Sequence, residues 1–238
     1  MNEDFYVGYI AKAPPDLARH VTRAVICLSF FVIVIAVILV IAQTPFAPSK
    51  FDFGIVRDYD GIIDDRPYPV LITGAGQYLL VAPGKHGFSA TGLVGRRAKF
   101  SASLIERAPD SMLEVARVDA QVGAMRPPEE ISLGAITVTG EIVDSKCYLG
   151  VMNPGNGKVH RDCAARCISG GVPPAFIARD ASGKTRTLLL AGADGRVLRT
   201  EVLDYVAEPV QISGMLSRIG STLILHASGI NRVAQRIP

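Results

Sequence analysis

Residues 24–42, AVICLSFFVIVIAVILVIA, are 19 consecutive positions without a charge, glycine or proline. As a helix this run rises about 1.5 Å per residue and reaches about 28 Å, close to the roughly 30 Å hydrocarbon core of a bilayer. A secretory leader has a shorter apolar region, about 7–15 residues, ending in small residues at its cleavage site. Gln43, Thr44, Pro45 and Phe46 follow here instead, so the run reads as a retained transmembrane helix over 23–43. Lys12, Arg19 and Arg23 precede it, whereas Lys50 and Arg57 follow at a greater distance. Basic residues favour the cytoplasmic side. The bias predicts a cytoplasmic tail over 1–22 and a periplasmic C-terminal region, the layout of a single-pass protein of a bacterial inner membrane. One partner is then the lipid bilayer, and a second is a protein complex in the same membrane. A net charge of +3 is too small to suggest nucleic acid.

After a linker over 44–53 the pattern changes. Short apolar runs such as PVLIT, YLLVA, ITVTGEIV, TLLLA and TLILHA are broken by Gly, Pro, Asp and Asn. β-branched runs of this length between turn residues predict strands, and no long helical periodicity competes. The runs also fall into two similar sets. Asp64, Pro69, Gly87 and Arg107 match Asp144, Pro174, Gly195 and Arg218 in order. The later intervals are alike, 18 and 20 positions in the first copy against 21 and 23 in the second. One interval is not. Four residues separate Asp64 from Pro69, and 29 separate Asp144 from Pro174. The reading is an all-β region of two β domains, 54–120 and 132–235, with an insertion over 146–172 in the second.

Each copy has about five strand candidates and ends in a hairpin, which looks like the small Greek-key barrel of the OB-fold. The closing segment VQISGMLSRIGSTLILHASGINRV resembles the last strands of bacterial periplasmic OB-like domains. The motif DSKCYLGVMNPGNGKVHRDCAARCISGG is similar to one in bacterial membrane-anchored proteins of that kind. The resemblance implies two tandem OB-like small barrels behind the anchor and carries no activity with it.

The insertion holds the chemistry. Of four cysteines, Cys27 lies in the apolar run, and the other three, Cys147, Cys163 and Cys167, fall within 21 residues. NPGNGK is a loop by its turn residues, VHRDCAARCIS suits a helix, and Gly170 with Gly171 supplies its stop. On that helix His160, Cys163 and Cys167 share one face, and Cys147 can fold back onto it. Three thiolates and an imidazole suit zinc, whereas thiolate, imidazole and the thioether of Met152 together suit copper. Two other readings stand beside the metal. One is a disulfide from Cys147 to Cys163 or Cys167, which an oxidising compartment favours and which leaves one thiol over. The other is a redox-active dithiol, although the C-x-x-C of thioredoxin-like proteins is missing. Lys158, Arg161 and Arg166 flank the cluster and could contact an anion or a partner. P-loop, G-x-S-x-G and H-E-x-x-H motifs are absent, so the chain reads as an accessory or binding protein more than an enzyme. The expected role is a site that binds a metal or contacts a cofactor of a membrane complex. A thiol–disulfide protein and a scaffold with a structural disulfide are the alternatives.

Overall fold

The computed structural model describes residues 13–43, 48–124, 128–179 and 184–233. Lys12, most of the expected tail, linker residues 44–47 and positions 234–235 lie outside the described residues. Two units result, 1–46 and 47–238. The first carries α1 (Pro15–Ala42), a helix of 28 residues with no buried position. Proline near its start suits a first turn that lacks intrahelical donors. The helix is long and apolar enough to cross a membrane. It begins eight residues before the expected span, so Asp16, Arg19 and Arg23 are helical, and the Arg19 guanidinium pairs with Asp16 one turn away.

The second unit is mostly β. Its first sheet holds β1 (Lys50–Phe51), β2 (Arg57–Asp64), β3 (Val70–Ile72), β4 (Gln77–Val81), β5 (Arg96–Arg107) and β6 (Asp110–Ala124), in the order β1-β5-β2-β3-β4-β6 with β5 also paired to β6. Residues 50 and 51, read as linker, are therefore a strand, paired to Glu106 and Ile105. The second sheet holds β7 (Glu130–Asp144), β8 (Pro174–Arg179), β9 (Thr185–Gly192), β10 (Pro209–Ile219) and β11 (Thr222–Arg232), and it closes into a barrel.

The two sheets repeat one scheme of pairing. Counted from β2 in one and β7 in the other, the first three strands pair antiparallel in sequence, the third pairs parallel with the fifth, and the fourth joins the fifth to the first. Register corrects the sequence landmarks. Asp64 pairs with Val70 as Asp144 pairs with Pro174, so Val70 and not Pro69 is the counterpart of Pro174. Val81 bridges to Gly87 as Ala191 bridges to Val197, so Gly195 is not the counterpart of Gly87. The 145–173 segment between β7 and β8 has no equivalent between β2 and β3.

Each sheet has its own core. Ile63, Leu71, Leu80, Phe100 and Leu113 fill the first, and Ile142, Phe176, Leu190, Ile212 and Leu225 the second. A third cluster joins them. Tyr68, Val81, Ile105 and Met112 of the first sheet pack with Val143, Tyr148, Leu149, Ala175 and Ile224 of the second, and Cys147 and Cys167 belong to this shared core. The Tyr68 hydroxyl crosses the junction, donating to the Leu190 carbonyl at 2.7 Å and accepting from the Leu198 N–H at 3.1 Å. Burial pushes its phenol well above the ordinary range. Tyr68→Phe leaves both backbone groups without this partner. It is expected to destabilise the full-length protein by about 1–3 kcal/mol, seen as a lower unfolding midpoint. An unchanged midpoint would mean that apolar contact alone holds the sheets together.

Candidate metal centre

The inserted segment leaves β7 at Asp144, whose carboxylate is fully buried. Its Oδ1 accepts the Cys147 N–H at 2.8 Å and caps the turn that follows. Residues Cys147–Val151 form a single π-helical turn that Gly150 breaks with extended backbone. Gly150 is required there, because a Cβ would lie 2.5 Å from the Lys50 carbonyl oxygen of β1. A 3-10 turn, Lys158–His160, leads into α2 (Arg161–Ser169). Ala164 and Ile168 point this helix into the core of the second sheet, while Cys163 and Cys167 face the shared core. The i, i+4 spacing gives both sulfurs one face.

Cys147, Cys163 and Cys167 place their sulfurs within 4.8 Å of one another, close enough to hold a metal ion. Cys147 and Cys167 are buried, and Cys163 is partly open. All four cysteines are free. The expected disulfide from Cys147 to Cys163 or Cys167 is thus not formed; instead Cys147 and Cys167 share a hydrogen bond. That bond, followed by burial, pushes the Cys147 thiol up. The same bond pulls Cys167 down, with Lys85 helping.

His160 joins a metal-competent group through Cys147 and not through all three thiols. It is buried, but its Nε2 lies 3.0 Å from Asp144 Oδ2, and it groups with Asp144 and Cys147 rather than with all three thiols. The reason is local, since α2 starts at Arg161 and the preceding 3-10 turn carries His160 off the Cys163–Cys167 face. Cys147 links the two groups. Met152 is 45% exposed and reaches the site by its backbone, donating to the Cys147 carbonyl at 3.1 Å. Of the flanking cations, Arg161 pairs with Glu208 at 2.9 Å, whereas Lys158 and Arg166 are exposed.

Two lysines, one from the first sheet and one from the insertion itself, complete the surroundings of the cluster. Lys85, in the β4–β5 loop, sets Nζ 2.8 Å from Cys163 Sγ and 3.9 Å from Cys167 Sγ. Its ammonium is held above the ordinary lysine range by the Cys163 sulfur. Lys146 is buried and pairs with Glu114 of β6. It also donates to the Ala82 and Gly84 carbonyls at 2.9 and 2.6 Å, which fixes the loop that carries Lys85. The loop then meets the end of α2, where the Gly87 N–H donates to the Gly170 carbonyl at 3.0 Å. A Cβ on Gly87 would lie 2.0 Å from the Gly171 carbonyl oxygen, so this approach requires glycine.

Compared with known protein families, with curated proteins and with solved structures, the chain finds no match. The chemistry of the site is carried by its own geometry.

A second polar group, at Glu130, Ser217 and His226, does not form a nucleophile. His226 Nε2 contacts both Ser217 Oγ at 2.9 Å and Glu130 Oε1 at 2.8 Å. A serine–histidine–carboxylate relay needs its two partners on different ring nitrogens.

Lys146→Met leaves Glu114 and two carbonyls without their ammonium. Breaking a buried pair in this way is expected to cost about 3–5 kcal/mol, with faster amide exchange across residues 83–87. Exchange unchanged in that loop would show that the glycine contacts suffice to hold it.

Proposed function

We propose that this chain is a membrane-anchored metal-binding accessory protein, with two OB-like barrels held outside the cytoplasm by α1. The observation that carries this reading is the convergence of three sulfurs within 4.8 Å, two of them buried in the core between the sheets. Thiolate sets select soft ions such as copper(I) and zinc. Copper(I) fits first, because His160 is engaged with Asp144 and the three thiols stand without a fourth member in their group. Zinc would complete its tetrahedron with an exogenous ligand on the open Cys163 side. The buried Asp144–His160 pair then acts as an outer support, fixing Cys147 through its backbone. Loaded on a tether, such a site would serve a membrane complex as a store or a donor of the ion.

The second reading is a dithiol that cycles with a disulfide, and the Cys147–Cys167 hydrogen bond favours it by placing sulfur beside sulfur. One experiment separates the two. Full-length protein is extracted in mild detergent without reductant, its metal content measured, and its thiols counted by alkylation and mass. The metal reading expects about one copper or zinc per chain, lost in Cys163→Ser and in Cys167→Ser but kept in Met152→Leu. No metal, together with a reversible Cys147–Cys167 disulfide, would replace it with the redox reading. Orientation is tested by an impermeant protease on spheroplasts, which should digest the β region and leave α1 protected; digestion only after lysis would reverse the topology.

A further inference from the structure

The segment that carries Cys147 also borders a cleft between the two sheets. Its inner part, about 100 Å³, has Leu79, Leu149, Leu189 and Leu223 as apolar walls, with Ser145 and Asp110 among its polar groups. An outer part of about 280 Å³ continues past Pro109, Asp110, Thr187 and Ser221 to Arg107, Tyr148 and Arg186. Among the described residues, two buried side-chain polar atoms lack a hydrogen-bond partner, and both belong to residues that line this cleft. They are Arg107 Nε and Ser145 Oγ. Ser145 is 1% exposed. Buried donors and acceptors are almost always satisfied, so two unsatisfied ones on one cleft mark a place for ligand oxygens.

The charges favour an anion. Arg186 and the half-buried Asp110 attract each other and offset. Arg107 instead lies with its guanidinium carbon 4.2 Å over the Tyr148 ring, which holds the plane of the cation. A planar guanidinium of fixed orientation is matched by a carboxylate or phosphate, while the leucine walls accept a short carbon chain.

We propose that this cleft binds a small organic oxyanion, a carboxylate or a phosphate ester, with its charged oxygens on Arg107 and a polar group reaching Ser145. The site is separate from the thiols and does not depend on a metal there. Titration calorimetry on the full-length protein in detergent, with succinate, glycerol 3-phosphate and inorganic phosphate as probes, tests it. One organic probe is expected to bind one per chain, and more tightly than inorganic phosphate; whether it is succinate or glycerol 3-phosphate decides between the two oxyanions. Arg107→Gln should weaken that binding by about tenfold or more, Arg107→Lys by less, and Ser145→Ala by about threefold to tenfold. Unfolding midpoints identify any variant that fails to fold, in which case the other two carry the comparison. No binding of either organic probe at millimolar concentration, or binding equal in all folded variants, would overturn the proposal and leave the cleft to water.

Discussion

The buried ammonium of Lys146 joins three parts of the molecule that are far apart in the chain. It rises from the insertion of the second sheet, pairs with Glu114 on β6, and is crowned by carbonyls from the β4–β5 loop. A charge taken out of water is tolerated only where such partners surround it. Its position therefore sets the spacing between insertion and loop. With that spacing fixed, glycine meets glycine at 87 and 170, and Lys85 comes to rest against Cys163.

The pairing scheme shared by the two sheets puts one position to two uses. Asp64 and Asp144 end equivalent strands, and both carboxylates are buried. In the first copy the carboxylate is met by a guanidinium two residues on, Arg66, at 2.9 and 2.8 Å. In the second it is met by the Cys147 N–H and by His160, sixteen residues on. The same buried charge thus closes a short connection in one copy and anchors a long one in the other. The first sheet also gives one wall of the thiol cluster, so neither copy builds the site alone.

Much of this is legible in the chain itself. Alternating β-branched runs mark the strands, the apolar stretch marks α1, and the unequal interval after Asp144 marks the insertion that carries the cysteines. The landmarks slip by a residue or two because side chains repeat every second position along a strand, and turn residues need not coincide between copies. His160 does come to a metal-competent group, with Asp144 and Cys147, but not on the Cys163–Cys167 face, because helical spacing assumes a helix that has already begun and a 3-10 turn places it toward Asp144. Lys85 is invisible to local spacing. It lies 78 positions before Cys163, in a turn whose Pro, Gly and Lys look like ordinary solvent-facing loop. Lys146 hides in the same way, since the cation reads as a surface residue until Glu114 is seen beside it.

The unequal burial of the three sulfurs bears on the order of events at the cluster. Cys147 and Cys167 are 4% and 1% exposed, sealed in the core between the sheets, while Cys163 stands partly open beside an exposed lysine. A thiophilic visitor arriving from solvent meets Cys163 first, and the two inner sulfurs only once it has stepped past the Lys85 side chain. Departure retraces that route, with the outermost bond the last to break. The side chain at the mouth and the loop it stands on would then slow entry and exit alike, in addition to the hold of the sulfurs themselves.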